Sequence, residues 1–348
     1  MNGFADIAAR PLAADAVAPF VLALADLPVD PAILGKASDL LESMSRLTGH
    51  KGISTPSSLW SLLTPSGYPV EVAFGSPADE LRFTTEVGGA GVAPSDRLAL
   101  AVQRLGHVAT PISSGDAAWC AAIQSGALVR WGAWVSLCVG PRGVRRKLYA
   151  EVPAAGHESA IDRVEASTHF IDQLIDQGAR LIMVGLPEGE SWEYYFGLRG
   201  LRYSDLPRLL DPVGVPGDGA RIVKALETLC GRYLNQSRPN RQSGLSCRKQ
   251  RDGSLQLTLF CQASDLFLSD AETRRALLRA APYLGVDLRS YAAFTETLAQ
   301  DADNTHCMVA LTPLPGGRID LRIGVSPPLP AAAVPLVGPN PKIAAPTE

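Results

Sequence analysis

Five times along its 348 residues the chain places two short alternating runs around a turn built on Gly or Pro. The first copy is residues 67–89, GYPVEVAFGSPADELRFTTEVGG. Val70, Val72 and Phe74 share one face with Leu81, Phe83, Thr85 and Val87, and Glu71, Ala73, Arg82, Thr84 and Glu86 share the other. The others are residues 130–153, turning at Gly140-Pro141-Arg142-Gly143; 179–200, at Pro187-Glu188-Gly189; 243–263, at Asp252-Gly253; and 304–326, at Pro315-Gly316-Gly317. Period-two runs around such turns are the signature of β-hairpins. A hairpin repeated five times constrains the fold more than any other feature of the chain.

Between hairpins the period becomes helical. APSDRLALAVQRLG is expected to start at a Ser95 cap and stop at Gly106, and SGDAAWCAAIQSG ends the same way. ESAIDRVEASTHFIDQLIDQG runs to Gly178; YSDLPRLLDPVG and GARIVKALETLCGRYL follow the third hairpin, LSDAETRRALLRAAPYLG and DLRSYAAFTETLAQ the fourth. The unit is therefore strand, strand, helix, helix, recurring about every 45 to 65 residues. One domain over residues 1–348 is expected, with an N-terminal helical segment at 1–64, the repeats at 65–326 and a proline-rich tail at 327–348. Open edges on ten antiparallel strands would invite aggregation, and closure into a barrel removes them. The fold class is then α+β: a ten-stranded antiparallel barrel of five ββαα repeats inside a ring of helices.

Amphipathic helices would cover the more apolar outer face, turning the more polar residues inward, and ten strands leave a lumen wide enough for a ligand. Alternation places Glu71, Arg82, Thr84 and Glu86 inside, then Trp134, Ser136, Arg145, Lys147, Tyr149 and Glu151. Gln256, Thr258, Ser246, Arg248, Arg318, Asp320 and Arg322 complete the set. In SWEYYFGL either Glu193 and Tyr195 face inward or Trp192, Tyr194 and Phe196 do; the first register is preferred. Cations converging in a lumen need partners. The acids Glu71, Glu86, Glu151 and Asp320 would make a salt-bridged plug; an anionic ligand such as a phosphate or diphosphate would make a site. Of the tryptophans, Trp134 points inward and can wall a pocket, whereas Trp60, Trp119, Trp131 and Trp192 read as core or rim packing.

Net charge is −3 and the pI about 6.0, which gives no footprint for nucleic acid. No apolar run reaches the length of a membrane span, and the N-terminus lacks the basic region of a signal peptide. The six cysteines form no Cys-x-x-Cys pair, which fits free thiols in a reducing cytoplasm. The five histidines lack metal-ligand spacing, and neither a phosphate-binding P-loop, a Gly-x-Ser-x-Gly elbow nor an Asp-Asp-x-x-Asp box is present.

Four short motifs stand on the inward strands. Pro69-x-Glu71 precedes Arg82 by eleven residues; Lys147-x-Tyr149 lies on the second hairpin; SWEYY in the third offers Tyr195; and Gln256-x-Thr258 lies on the fourth. With the five-fold repeat, over residues 65–326, they resemble the aromatic prenyltransferases of the ABBA barrel type, in particular the indole or dimethylallyltryptophan synthase branch. The third hairpin departs from that branch's Arg-x-Lys-x-Tyr and Thr258 from its Gln-x-Tyr, and Arg248 and Arg322 can compensate. The resemblance implies transfer of a dimethylallyl or longer prenyl group from its diphosphate to an electron-rich aromatic ring, indole- or tryptophan-like, with no cofactor and no required metal. It assigns diphosphate binding to Arg82, Lys147, Tyr149, Tyr195, Arg248, Gln256 and Arg322. Glu71 would be the catalytic group and, with Trp134, would form the acceptor pocket. The expected partners are a prenyl diphosphate and an aromatic small molecule, with no nucleic acid and no membrane. Prenylation of a phenolic, carbazole or peptide acceptor, and a non-catalytic barrel binding an anionic isoprenoid, are the alternatives.

Overall fold

The computed structural model of the protein describes residues 33–35, 61–75, 80–89, 91–106, 112–161, 172, 174–176, 178–189, 191–198, 202–210, 217–234, 243–250, 252–296 and 305–326. Most of the expected N-terminal helical segment, Trp60 and the tail at 327–348 lie outside them.

The strands are β1 (Val70–Gly75), β2 (Leu81–Glu86), β3 (Ala133–Gly140), β4 (Gly143–Glu151), β5 (Ala179–Pro187), β6 (Glu193–Leu198), β7 (Ser243–Lys249), β8 (Leu255–Gln262), β9 (His306–Pro313) and β10 (Ile319–Val325). Each pairs antiparallel with its sequence neighbours, and β10 closes onto β1 from Val72↔Val325 to Gly75↔Arg322. The result is a closed ten-stranded barrel. All five hairpin turns sit at one end, the turn end; the helical connections leave from the other, the connection end.

The core lies between the barrel's outer face and the helices. Outward residues such as Val72, Phe83, Leu148, Leu181, Phe196, Leu259 and Leu321 are fully buried. Helix α1 (Pro94–Gly106) turns Leu98, Ala101 and Leu105 inward, the i, i+3, i+7 stripe that one apolar helix face requires. It begins at Pro94, one residue before the expected Ser95 cap, because a proline at the first helical position needs no N–H partner. Helix α2 (Ser114–Gln124) is capped by Ser113, whose side chain accepts from the Asp116 N–H at 3.0 Å. The short helices α3 (His157–Ile161), α4 (Leu206–Leu210) and α6 (Ala263–Leu266) follow β4, β6 and β8. Helix α5 (Asp218–Cys230) buries Ile222, Ala225, Leu226 and Leu229, α7 (Asp270–Leu284) buries Ala276, Leu277, Ala280 and Ala281, and α8 (Arg289–Glu296) buries Tyr291 and Phe294. All six cysteines are unpaired, and five of them are buried.

The ambiguous third hairpin resolves on packing. Tyr194, Phe196 and Leu198 face the helices and are buried, which turns Glu193 and Tyr195 into the lumen. Phe196 stands between Leu181 and Leu245 on the neighbouring strands. Phe196→Ala is expected to lower unfolding stability by about 3–5 kcal/mol, read as a shifted denaturant midpoint with an unchanged slope.

Two of the residues expected inside the lumen are turned elsewhere. Glu86 and Glu151 follow the lumen's alternation but do not line it. Glu86 is closed off at the connection end, paired with Arg97 of α1 and hydrogen-bonded to Ser61. Glu151 accepts the backbone N–H groups of Arg130 (3.0 Å), Trp131 (2.7 Å) and Gly132 (2.8 Å), clamping the loop that leads into β3. At strand ends, carboxylates are drawn to the nearest unpaired donors, and alternation alone does not show those donors.

Candidate functional site

The lumen is a cavity of about 2690 Å³, open to solvent and lined by the inward residues of all ten strands. It falls into three zones.

Toward the connection end lies Glu71, the second residue of β1, directly opposite Thr84 of β2. Burial pushes its carboxyl up to about 7, against the opposing pull of the Cys307 thiol and the Arg82 charge. Its place depends on Gly324 of β10: a Cβ there would overlap the Glu71 carboxylate. Beside this floor Trp131 and Trp134 stack at 3.9 Å between centroids and 17° between planes. Alternation alone would turn Trp131 outward, but Gly132, at φ 74°, reverses the chain before β3 and returns the ring to the lumen. The Trp134 indole N–H is buried and has no hydrogen-bond partner among the described residues. Trp119 and Trp192, by contrast, pair with each other at 4.8 Å against the core.

The middle zone is aromatic around one cation. Lys147 Nζ lies 4.8 Å from the centroid of the Tyr149 ring and 5.1 Å from that of Tyr195, and donates to the Tyr195 hydroxyl at 2.8 Å. The two tyrosine rings meet edge-on at 5.8 Å, and Phe260 continues the wall 5.9 Å from Tyr195. Gly185 makes room, since a Cβ there would overlap Lys147 Cε. Lys147 is also ion-paired with Glu193, which accepts from Ser246 Oγ at 2.5 Å. Burial would raise the Glu193 carboxyl, but Lys147, Ser246 and Arg248 together hold it down to about 2.

The turn-end zone is rich in arginine. Arg82 and Arg145 flank Cys138 on the adjoining strands, and Arg322 stands across from Gly75. Glu80 lies among them, paired with Arg145 and 3.7 Å from Arg322. Burial opposes its ionisation, but the Cys138 thiol and the charges of Arg322, Arg145 and Arg82 lower its carboxyl below the usual range. Arg322 also donates to Asp320 at 3.0 Å, and Arg248 donates to Gln256, its direct cross-strand neighbour, at 2.8 Å.

Each residue expected to bind the diphosphate or form the acceptor pocket thus lines one lumen: Glu71 and Trp134 deep, Lys147, Tyr149 and Tyr195 midway, Arg82, Arg248, Gln256 and Arg322 toward the turns. Of the acids expected to balance the cations, Asp320 does so, while Glu80 and Glu193 replace Glu86 and Glu151. Glu80 was legible as the next inward step of the Glu80, Arg82, Thr84 alternation. The glycine contacts were not, because they depend on which side chains cross neighbouring strands. Among the described residues, no group of three or more His, Cys, Asp or Glu side chains is placed to hold a metal ion, and no helix is long and apolar enough to cross a membrane.

No family model matches the sequence, and no curated protein matches it. Solved structures do. The 5-dimethylallyl tryptophan synthase from Streptomyces coelicolor, in complex with DMASPP and Trp, is 16% identical with a TM-score of 0.72, covering 94% of this chain and 98% of that one. The 6-dimethylallyltryptophan synthase from Micromonospora olivasterospora, also with DMASPP and Trp, is 17% identical with a TM-score of 0.69, over 90% and 97%. Prenyltransferase PriB, in a ternary complex with L-tryptophan and dimethylallyl thiolodiphosphate, is 17% identical with a TM-score of 0.69, over 93% and 96%. The chain has the fold of these prenyltransferases, the ABBA barrel, along nearly its whole length.

Proposed function

We propose that the protein transfers a dimethylallyl or longer prenyl group from its diphosphate to an electron-rich aromatic acceptor carrying an N–H, of the indole class. The observation that carries this reading is the order of groups along one lumen. A carboxyl able to accept a proton lies deepest, aromatic faces lie midway, and arginines lie toward the turns. That order matches the charge the reaction develops. The allylic C–O bond breaks with both electrons passing to the diphosphate, whose charge the arginines neutralise as it forms. The allyl cation left behind faces the rings of Tyr149 and Tyr195. A ring carbon of the acceptor supplies the electron pair for the new C–C bond, and the displaced ring proton is lost to a base. Glu71 accepts the acceptor's N–H, which orients the ring and enriches it in electrons, and its raised pKa suits it to receive the proton. The barrel wall limits the access of water that would quench the cation. The arginines supply the charge that a divalent ion would otherwise bring, so no metal is needed.

Incubation with dimethylallyl diphosphate and tryptophan or indole, in the presence of EDTA, tests the reading. Expected is a product one prenyl unit heavier than the acceptor, with stoichiometric release of diphosphate. Thermal stabilisation by the diphosphate with no product from indolic, phenolic, carbazole or peptide acceptors would instead make the barrel a binding module.

Gly324→Ala should act through Glu71. The added methyl must displace the carboxylate, and a shift of about 1 Å can lower turnover by roughly a hundredfold. The expected result is a fall in kcat with the KM for the prenyl diphosphate nearly unchanged, since the atoms the methyl meets belong to Glu71 and not to the arginines.

A further inference from the structure

One carboxylate has no part in that reaction yet sits beside Lys147 in the middle of the lumen. Glu193 opens β6, directly across from Gly185 of β5 and Arg248 of β7. One of its oxygens pairs with Lys147 Nζ and the other accepts from Ser246 Oγ at 2.5 Å, so the carboxylate is held from two sides. Lys147 is equally fixed, by Glu193, the Tyr195 hydroxyl and two tyrosine rings. An anion arriving at Lys147 would have to displace a partner already in place or share the ammonium with it at the cost of like-charge repulsion. Two residues nearer the turn on the same strand stands Arg145, which with Arg82 and Arg322 surrounds Glu80, the residue that leads out of the β1–β2 turn into β2.

We propose that Glu193 is a positioning residue: by neutralising Lys147 it shifts the seat of the ligand's diphosphate off the middle of the barrel and onto Arg82, Arg145 and Arg322. The proposal rests on the prenyl-diphosphate reading of the site. Lys147 then screens Glu193 and does not hold the phosphates itself, so removing it harms binding mainly by uncovering a negative charge.

Inorganic pyrophosphate binding, followed by calorimetry on the full-length protein, separates the two roles of Lys147. Glu193→Gln, which keeps the acceptor oxygen for Ser246, should bind about tenfold more tightly because an ammonium is released. Lys147→Ala should bind about tenfold more weakly. The Lys147→Ala/Glu193→Gln double variant should return to within about threefold of wild type, because the arginines are untouched. A double variant as weak as Lys147→Ala would overturn the proposal, as would an unchanged Glu193→Gln or no binding to any of the proteins. A crystal of the wild-type protein soaked with pyrophosphate needs no variant: phosphorus should lie against the arginines with the Lys147–Glu193 pair intact. Phosphorus on Lys147 Nζ with Glu193 displaced would contradict the proposal. Failure of prenyl transfer alone would remove the reaction and leave these binding results to stand or fall separately.

Discussion

Glu71→Gln is expected to lower kcat for prenyl transfer by roughly a hundred- to ten-thousandfold, the range lost with a positioned proton acceptor. The amide keeps the shape and loses both the charge and the basicity. The KM for the prenyl diphosphate should hold, because the arginines proposed to meet it are on other strands. A pH profile separates this role from a merely structural one. The carboxyl is pushed up to about 7, so the wild-type rate should climb as pH rises through that region, as the anion forms; the variant should lack this limb. Stability runs the other way. The native value lies above the ordinary 4.5, so the stabilising contribution of the protonated carboxyl is fully present below about pH 4.5 and is lost as pH rises through about 7. Glu71→Gln should therefore raise the melting temperature more at pH 8 than at pH 5. Equal turnover by wild type and variant across the range would remove Glu71 from the reaction.

Arg82→Met is the second large effect. Methionine occupies similar space without charge or donors. Arg82 lies between Ala73 and Cys138, inward of two paired strands, and belongs to the arginine group that includes Arg145 and Arg322. If that group neutralises the departing diphosphate, kcat should fall by about a hundred- to a thousandfold. Arg82→Lys should recover part of it, since a point charge restores attraction but not the planar pair of donors. Glu80, losing one of its arginines, should also titrate closer to an ordinary carboxylate, which carboxyl NMR can follow.

The barrel was legible in the sequence because period-two alternation carries both strand and facing, and five hairpins leave closure as the way to remove edges. The inward placement of Arg82, Lys147, Tyr149, Gln256 and Arg322 followed from the same count. What alternation could not supply was direction at strand ends. Glu86 and Glu151 obey the pattern but bend to Arg97 and to the loop amides at 130–132, and Trp131 breaks it through the positive φ of Gly132. Partner choice was equally hidden. That Glu193 meets Lys147, and Glu80 meets Arg145, depends on registers between strands up to 65 residues apart. The gaps opened by Gly185 and Gly324 are of the same kind: a missing Cβ on one strand houses a side chain from another.

Leaving group and acceptor are expected to meet inside one lumen, at its arginine and carboxylate zones respectively. A crystal structure with dimethylallyl thiolodiphosphate and tryptophan tests this most directly. The predicted result places the phosphates against Arg82, Arg145 and Arg322, the allyl carbons between Tyr149 and Tyr195, and the indole nitrogen about 3 Å from the Glu71 carboxylate. Ligands bound outside the barrel, or an indole ring turned with its nitrogen away from Glu71, would contradict it.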